Sequence, residues 1–295
     1  MGIRVFDRAS GEIYIEKQYG ERKLHFLYHT AAGRVLLKLF IATRAYSKWN
    51  AVFANSRRSA RKIRPFIDEY GIAAEDYEQR EYRSFNDFFT RRLLDGKRTF
   101  PPEKDALISP ADGKLRVFNI GPDTGVAVKN SIYTVEELIG DTASADRYSN
   151  GLCLVFRLTV DDYHRYCFID DGEIAAHRTI NGRLHTVGPI SSKRYRVYSE
   201  NHREVSLLRT ENFGMVAHIE VGALLIGKIT NREIVRFRRF EEKGYFAFGG
   251  STVVLLLEHG AADIDRDILE CSRKGMEVRV RMGERIGHGK REPIC

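Results

Sequence analysis

Only four cysteines occur in 295 residues, Cys153, Cys167, Cys271 and Cys295, and no two are spaced as CxxC or set with histidine in a zinc pattern. A disulfide framework is therefore not expected, no metal site is evident, and the thiols read as reduced. Long apolar runs are missing too: none approaches the roughly 18 residues that cross a bilayer. The charged first thirty residues lack the apolar core of a secretory leader. A Met1-Gly2 start suits N-myristoylation, but Phe6 stands where Ser or Thr is needed. There is no repeat and no low-complexity linker. Acidic side chains are absent between Arg22 and Ile67, a stretch that holds eleven Lys or Arg residues. These absences leave peripheral contact as the only membrane mode expected.

What is present points to a folded globular chain of one large domain or two modest ones. Hydrophobic residues make up 43% and the net charge is +8. Within the acid-free stretch Val35, Leu36, Leu39, Phe40, Tyr46, Trp49, Val52 and Phe53 recur near helical spacing. A cationic amphipathic helix with Trp and Phe suits an anionic membrane surface, with apolar side chains in the acyl boundary and Lys and Arg at the headgroups. An ordinary surface helix is the plainer alternative. Nucleic acid is not expected as a partner, because the basic residues interleave with aliphatics and no binding motif accompanies them.

Pro65 and Gly71 mark the change to an acidic stretch, and Ser84 to Leu93 reads as a capped helix. Beyond Pro110, short β-rich runs separated by Gly, Asn and Asp take over, among them Leu152–Phe156, Val216–Val221 and Ser251–Leu257. The expected fold class is α+β: a helical, basic, membrane-facing part over residues 1–100 on a mostly antiparallel β core over 101–295.

Three segments could carry chemistry. In Gly249-Gly250-Ser251-Thr252 two glycines precede a serine at the mouth of a strand. Glycine admits backbone conformations that place a hydroxyl beside its own preceding carbonyl, the requirement for an N→O acyl shift. A turn before a core strand is the plain reading of that run taken alone. Ser109-Pro110-Ala111-Asp112-Gly113-Lys114 is a turn whose Asp112 could orient a histidine or merely shape the turn. In Asp162-Tyr163-His164-Arg165-Tyr166-Cys167, His164 could be a general base or a structural imidazole.

Taken in order, these segments together with Phe88–Leu93, Gly182–Ile190, Thr210–Gly214 and Glu220–Ile229 resemble the phosphatidylserine decarboxylases, in the branch that carries Gly-Gly-Ser-Thr. The likeness runs from about residue 80 to about residue 258. It implies that the chain is a zymogen that cuts itself between Gly250 and Ser251, giving a β chain (1–250) and an α chain (251–295). Ser251 would become a covalent pyruvoyl group that takes the substrate amine as a Schiff base. Phosphatidylserine would leave as phosphatidylethanolamine and CO₂. The resemblance further implies a homodimer and a peripheral place on the cytoplasmic face of the cell membrane. Asp112, His164 and Ser251 fall on the family's catalytic positions. Members often read Tyr-His-Arg-x-His, and here the second histidine is Cys167; His164 serving both steps, Cys167 substituting, or His185 approaching are the alternatives. A Ser/His/Asp hydrolase and a non-enzymatic basic membrane-binding protein are the competing readings. The hydrolase lacks a Gly-x-Ser-x-Gly elbow.

Overall fold

A computed structural model describes residues 2–16, 25–28, 30–36, 50–128, 131–183, 185, 196–223, 228–248 and 251–289. Leu39, Phe40, Tyr46 and Trp49 of the amphipathic stretch, and both glycines before Ser251, lie outside them.

Among the described residues the largest element is a ten-stranded sheet. Its order across the sheet is Arg236–Phe237, Gly172–Ile180, Arg203–Thr210, Met215–Gly222, Ser251–Leu257, Leu152–Leu158, Gly113–Asn119, Glu277–Val280, Ile3–Asp7 and Ile13–Glu16. All neighbours are antiparallel except Ile3–Asp7, which runs parallel to Glu277–Val280. The N-terminal segment Ile13–Glu16 is the edge strand of this sheet. It belongs to the β core rather than to a helical N-terminal part, because its residues complete the sheet edge.

The central strand explains its own composition. Val253, Leu255 and Leu257 face one apolar layer with Phe156, Leu158, Tyr166 and Phe246. Val254 and Leu256 face a second layer with Val155, Ala217, Ile219, Val135 and Leu138. With both faces covered, a strand needs no polar alternation, so Val253–Leu257 reads as an unbroken apolar run.

A three-stranded sheet of Ile229–Asn231, Glu242–Phe246 and Arg165–Cys167 contributes to the first layer. Gly244 sits in its middle for a steric reason: a Cβ there would lie 2.3 Å from the Thr230 carbonyl and 2.8 Å from the Tyr166 hydroxyl. The α+β, mostly antiparallel expectation agrees with this architecture. The helix Phe85–Phe89 starts at Ser84, whose Oγ accepts from the Asp87 amide at 3.1 Å. It buries Phe85, Phe88 and Phe89 in a third cluster with Phe66 and Val160. No helix among the described residues is long and apolar enough to cross a membrane.

Candidate active site

The sheet register brings the sequence-predicted residues to one end of the large sheet. Ser251 opens its strand opposite Gly222 on one side and Leu158 on the other. Lys114 lies opposite Arg157, so Gly113, and Asp112 just before it, reach the same end from the next strand. The segment from Thr159 to His164 leaves that end at Leu158.

Ser251 is fully buried and its Oγ has no hydrogen-bond partner among the described residues. His164 is equally buried. Its Nδ1 lies 2.9 Å from the Asp162 carbonyl oxygen, and its Nε2 has no partner among the described residues. A carbonyl only accepts, so the proton resides on Nδ1 and Nε2 presents its lone pair. Burial lowers the His164 pKa to about 4, with the positive charges of Arg91 and Lys114 adding to the effect. The imidazole is thus neutral at physiological pH.

The loop that presents His164 is itself tied down. The Asp162 carboxylate accepts from the Thr159 amide at 2.7 Å, the Thr159 hydroxyl at 2.9 Å and the buried Lys114 ammonium at 2.8 Å. Burial alone would raise the Asp162 pKa, but Lys114 and these hydrogen bonds hold it below the usual carboxylate value. Lys114 also meets Glu16 at 3.3 Å, which links the N-terminal hairpin to the loop.

Phe89 packs its ring 4.1 Å from that of His164, and Phe248 lies 5.2 Å from Phe89 and 4.9 Å from Phe85. The Phe248 amide donates to Asn86 Oδ1 at 2.9 Å. One short helix therefore holds both the imidazole and the chain leading into Ser251. Arg165 fastens the end of that helix: its guanidinium donates to the Thr90 and Arg91 carbonyls, and its Nη1 reaches both carboxylate oxygens of Glu242 at 2.9 Å.

Asp112 occupies a different setting. Its carboxylate accepts from Arg98 at 3.2 and 2.7 Å and from the Met282 amide at 2.8 Å. No hydrogen bond joins it to His164 among the described residues. Cys167 lies close by, with its amide on the Pro110 carbonyl at 2.9 Å and its sulfur 3.9 Å from the Ser109 carbonyl oxygen. Burial pushes the Cys167 thiol far above its ordinary value, and the Asp112 charge adds to the rise, so the thiolate is scarce at neutral pH. His185 is buried, with its pKa lowered by burial to about 4. Its backbone is held by Asn201, whose amide nitrogen also donates to the Gly222 carbonyl opposite Ser251 at 2.7 Å.

A group that sequence reasoning missed lies on the same sheet face as Ser251. Glu220 and His218 follow Gly222 at two-residue steps and share its face. Glu220 Oε1 is 2.5 Å from His218 Nδ1 and 2.6 Å from Lys243 Nζ, and Lys243 also donates to Asn231 Oδ1 at 3.1 Å. Burial would raise the Glu220 pKa, yet Lys243 and His218 bring it down to about 2. The signal was available in the sequence: His218 and Glu220 are polar at strand spacing inside Val216–Val221, where solvent exposure was not the reason. Among the described residues no group of three or more His, Cys, Asp or Glu is placed to hold a metal ion.

This geometry, a buried serine at a strand mouth with an imidazole whose Nε2 is unpartnered at the same end of the sheet, suits chemistry on the protein's own chain better than attack on a bulky external ester. The sequence comparisons narrow the class to carboxy-lyases made as proenzymes. A family model described as phosphatidylserine decarboxylase matches residues 85–288. The chain is 60% identical over 287 residues to phosphatidylserine decarboxylase proenzyme 2 of Clostridium acetobutylicum, covering 97% of this chain and 99% of that one. It is 38% identical to the phosphatidylserine decarboxylase proenzyme of Clostridium beijerinckii, with 97% and 98% covered. Against that of Fusobacterium nucleatum it is 37% identical, with 98% of each covered. The chain belongs to the phosphatidylserine decarboxylase family. The hydrolase and the non-enzymatic binding module give way to that membership.

Proposed function

We propose that this chain is a zymogen that cuts itself between Gly250 and Ser251 and then decarboxylates phosphatidylserine to phosphatidylethanolamine. The observation that carries the reading is the pair of buried, unpartnered atoms Ser251 Oγ and His164 Nε2. Polar atoms left unpaired in a protein interior are costly, and such exceptions concentrate where chemistry needs them.

In maturation His164 Nε2 takes the Ser251 hydroxyl proton as Oγ adds to the Gly250 carbonyl carbon. The peptide C–N bond then breaks and an ester links Gly250 to Ser251 Oγ. Loss of the Ser251 Cα proton expels the Gly250 carboxylate and leaves dehydroalanine; water then releases ammonia and leaves the pyruvoyl group on residues 251–295. The fit of Ser251 to that group rests on its orphaned, fully buried hydroxyl. A pyruvoyl group supplies a carbonyl that binds an amine and accepts the electron pair left by departing CO₂.

His164 is assigned as the base, rather than Cys167, because its lone pair is free at neutral pH whereas the buried thiol stays protonated. Asp112, paired to Arg98 instead of an imidazole, is assigned to shaping the turn beside the site. Membrane docking is assigned to the basic N-terminal part. Val35, Leu36, Val52 and Phe53 are exposed there at 58%, 41%, 71% and 47%, beside the exposed Arg57, Arg58, Arg61 and Lys62. That surface suits peripheral attachment to anionic lipid, placed on the cytoplasmic face by the same reading, and a homodimer is the proposed assembly.

The test is denaturing electrophoresis with intact mass, alongside CO₂ release from phosphatidylserine micelles. The expected result is two fragments, the smaller starting at residue 251 with a pyruvoyl-blocked end, and neither cleavage nor CO₂ from Ser251→Ala. A wild-type chain that stays whole overturns the reading.

A further inference from the structure

Arg91 is fully buried, yet no carboxylate pairs with it among the described residues. Its Nε and Nη1 have no hydrogen-bond partner among them either. Its Nη2 reaches only the Tyr77 hydroxyl and the Asp161 carbonyl, each at the long distance of 3.4 Å. The flat faces of the guanidinium are covered by Tyr77, at 4.3 Å to the ring centroid, and Phe88, at 4.9 Å. Ring faces attract a cation but satisfy none of its in-plane N–H groups.

A buried charge without a counter-charge is expensive to keep. The carboxylates around it are engaged elsewhere: Asp162 with Lys114, Glu242 with Arg165, and Asp112 with Arg98. The guanidinium also belongs to the candidate site. Phe88 lies under it while the next residue, Phe89, packs on His164, and its charge helps to depress the His164 pKa. Asp161, whose carbonyl it touches, lies three residues before His164.

We propose that Arg91 is the receptor for an oxyanion of the substrate headgroup, a carboxylate or a phosphodiester, taken by its unpartnered Nε and Nη1. These two donors lie on different edges of the planar group, each edge completed by Nη2, whose own contacts at 3.4 Å are long enough to be exchanged for an oxygen of the anion. Arg91 is as fully buried as Ser251 and His164, so an anion reaches it only when the chain opens, as it must for a substrate amine to reach residue 251. The acyl shift involves no external anion, and burial, the larger cause, keeps His164 neutral at neutral pH without the Arg91 charge, so Arg91 is needed for turnover and not for cleavage. The inference rests on the decarboxylase reading, and its test keeps the two apart.

The experiment uses the full chain with phosphatidylserine in detergent micelles. Arg91→Met and Arg91→Lys are each scored for self-cleavage on a gel and for KM and kcat of CO₂ release. Two amines that carry different anions, L-serine with a carboxylate and glycerophosphoethanolamine with a phosphodiester, serve as inhibitors. Both variants are expected to mature, with KM raised about tenfold or more in Arg91→Met and partly recovered in Arg91→Lys. The inhibitor whose oxyanion meets Arg91 should lose potency in Arg91→Met, which separates carboxylate from phosphodiester. Should Arg91→Met fail to fold, Arg91→Lys decides, because a point charge cannot reproduce the two-donor contact. An unchanged KM with both inhibitors as potent as on the wild type overturns the proposal. A wild type that matures but releases no CO₂ refutes the decarboxylase reading instead.

Discussion

His164 holds one proton on Nδ1 for the Asp162 carbonyl, and its environment resists a second. With a folded pKa near 4 against an ordinary value near 6.5, the folded chain keeps the imidazole neutral through mildly acidic pH. Maturation initiated at different pH values should therefore hold its rate down to about pH 5 and fall only below it. A midpoint near 6.5 would show that the base is exposed or is another residue. The sign for stability is opposite to that of a salt-bridged histidine. The unfolded chain takes up a proton as pH drops through about 6.5 while the folded chain does not, so His164 lowers stability between about 6.5 and 4 and has no effect above that range. Glu220 and Lys243 offer a second residue-scale check. Glu220→Gln leaves the Lys243 charge buried without its counter-charge, which should cost about 3–5 kcal/mol in chemical denaturation of the uncleaved Ser251→Ala chain. A cost under about 1 kcal/mol would mean that the network is not sealed from water.

Among the elements, the helix Phe85–Phe89 has an influence beyond its five residues. Its start was legible in the sequence because Ser84 is a good cap and three phenylalanines follow, but the helix expected to reach Leu93 stops at Phe89. Its role was not legible, since nothing in local spacing says that Phe89 touches His164 across the chain. Phe89→Ala opens a cavity against the imidazole and against Phe248, and a loss of about 3–5 kcal/mol is expected together with slowed cleavage. Slow cleavage in a fully stable Phe89→Ala would place Phe89 in the chemistry; normal cleavage would remove the helix from the site altogether. The strand Ser251–Leu257 was likewise legible from its β-branched and aliphatic run. The N-terminal strands were only half legible: Ile13–Glu16 alternates weakly, and Ile3–Asp7 finds its partner in Glu277–Val280, at the far end of the sequence. Parallel pairing over such a separation leaves no local mark. Cys167 was visible as a departure from the family pattern, but only the packed structure shows its thiol sealed beside Asp112.

For the whole molecule, charge and exposed apolar side chains are concentrated in the N-terminal part, so attachment should depend on lipid charge. Flotation with phosphatidylglycerol vesicles should recover the chain at low salt, lose most of it at about 0.5 M salt, and recover little with phosphatidylcholine. Binding indifferent to both lipid charge and salt would remove electrostatic docking. The sheet carries a further consequence. Ser251–Leu257 lies between Met215–Gly222 and Leu152–Leu158, and Glu277–Val280 lies between Gly113–Asn119 and Ile3–Asp7. With the chain cut as proposed, two strands of the short fragment are therefore each flanked on both sides by the long one. The intact precursor can unfold and find its way back, but once the backbone is broken a melted molecule becomes two separate solutes. Repeated heating and cooling should be reversible for Ser251→Ala and irreversible for the mature protein, so that maturation acts as a one-way ratchet after which the protein's lifetime is set by its unfolding rate rather than by its equilibrium stability.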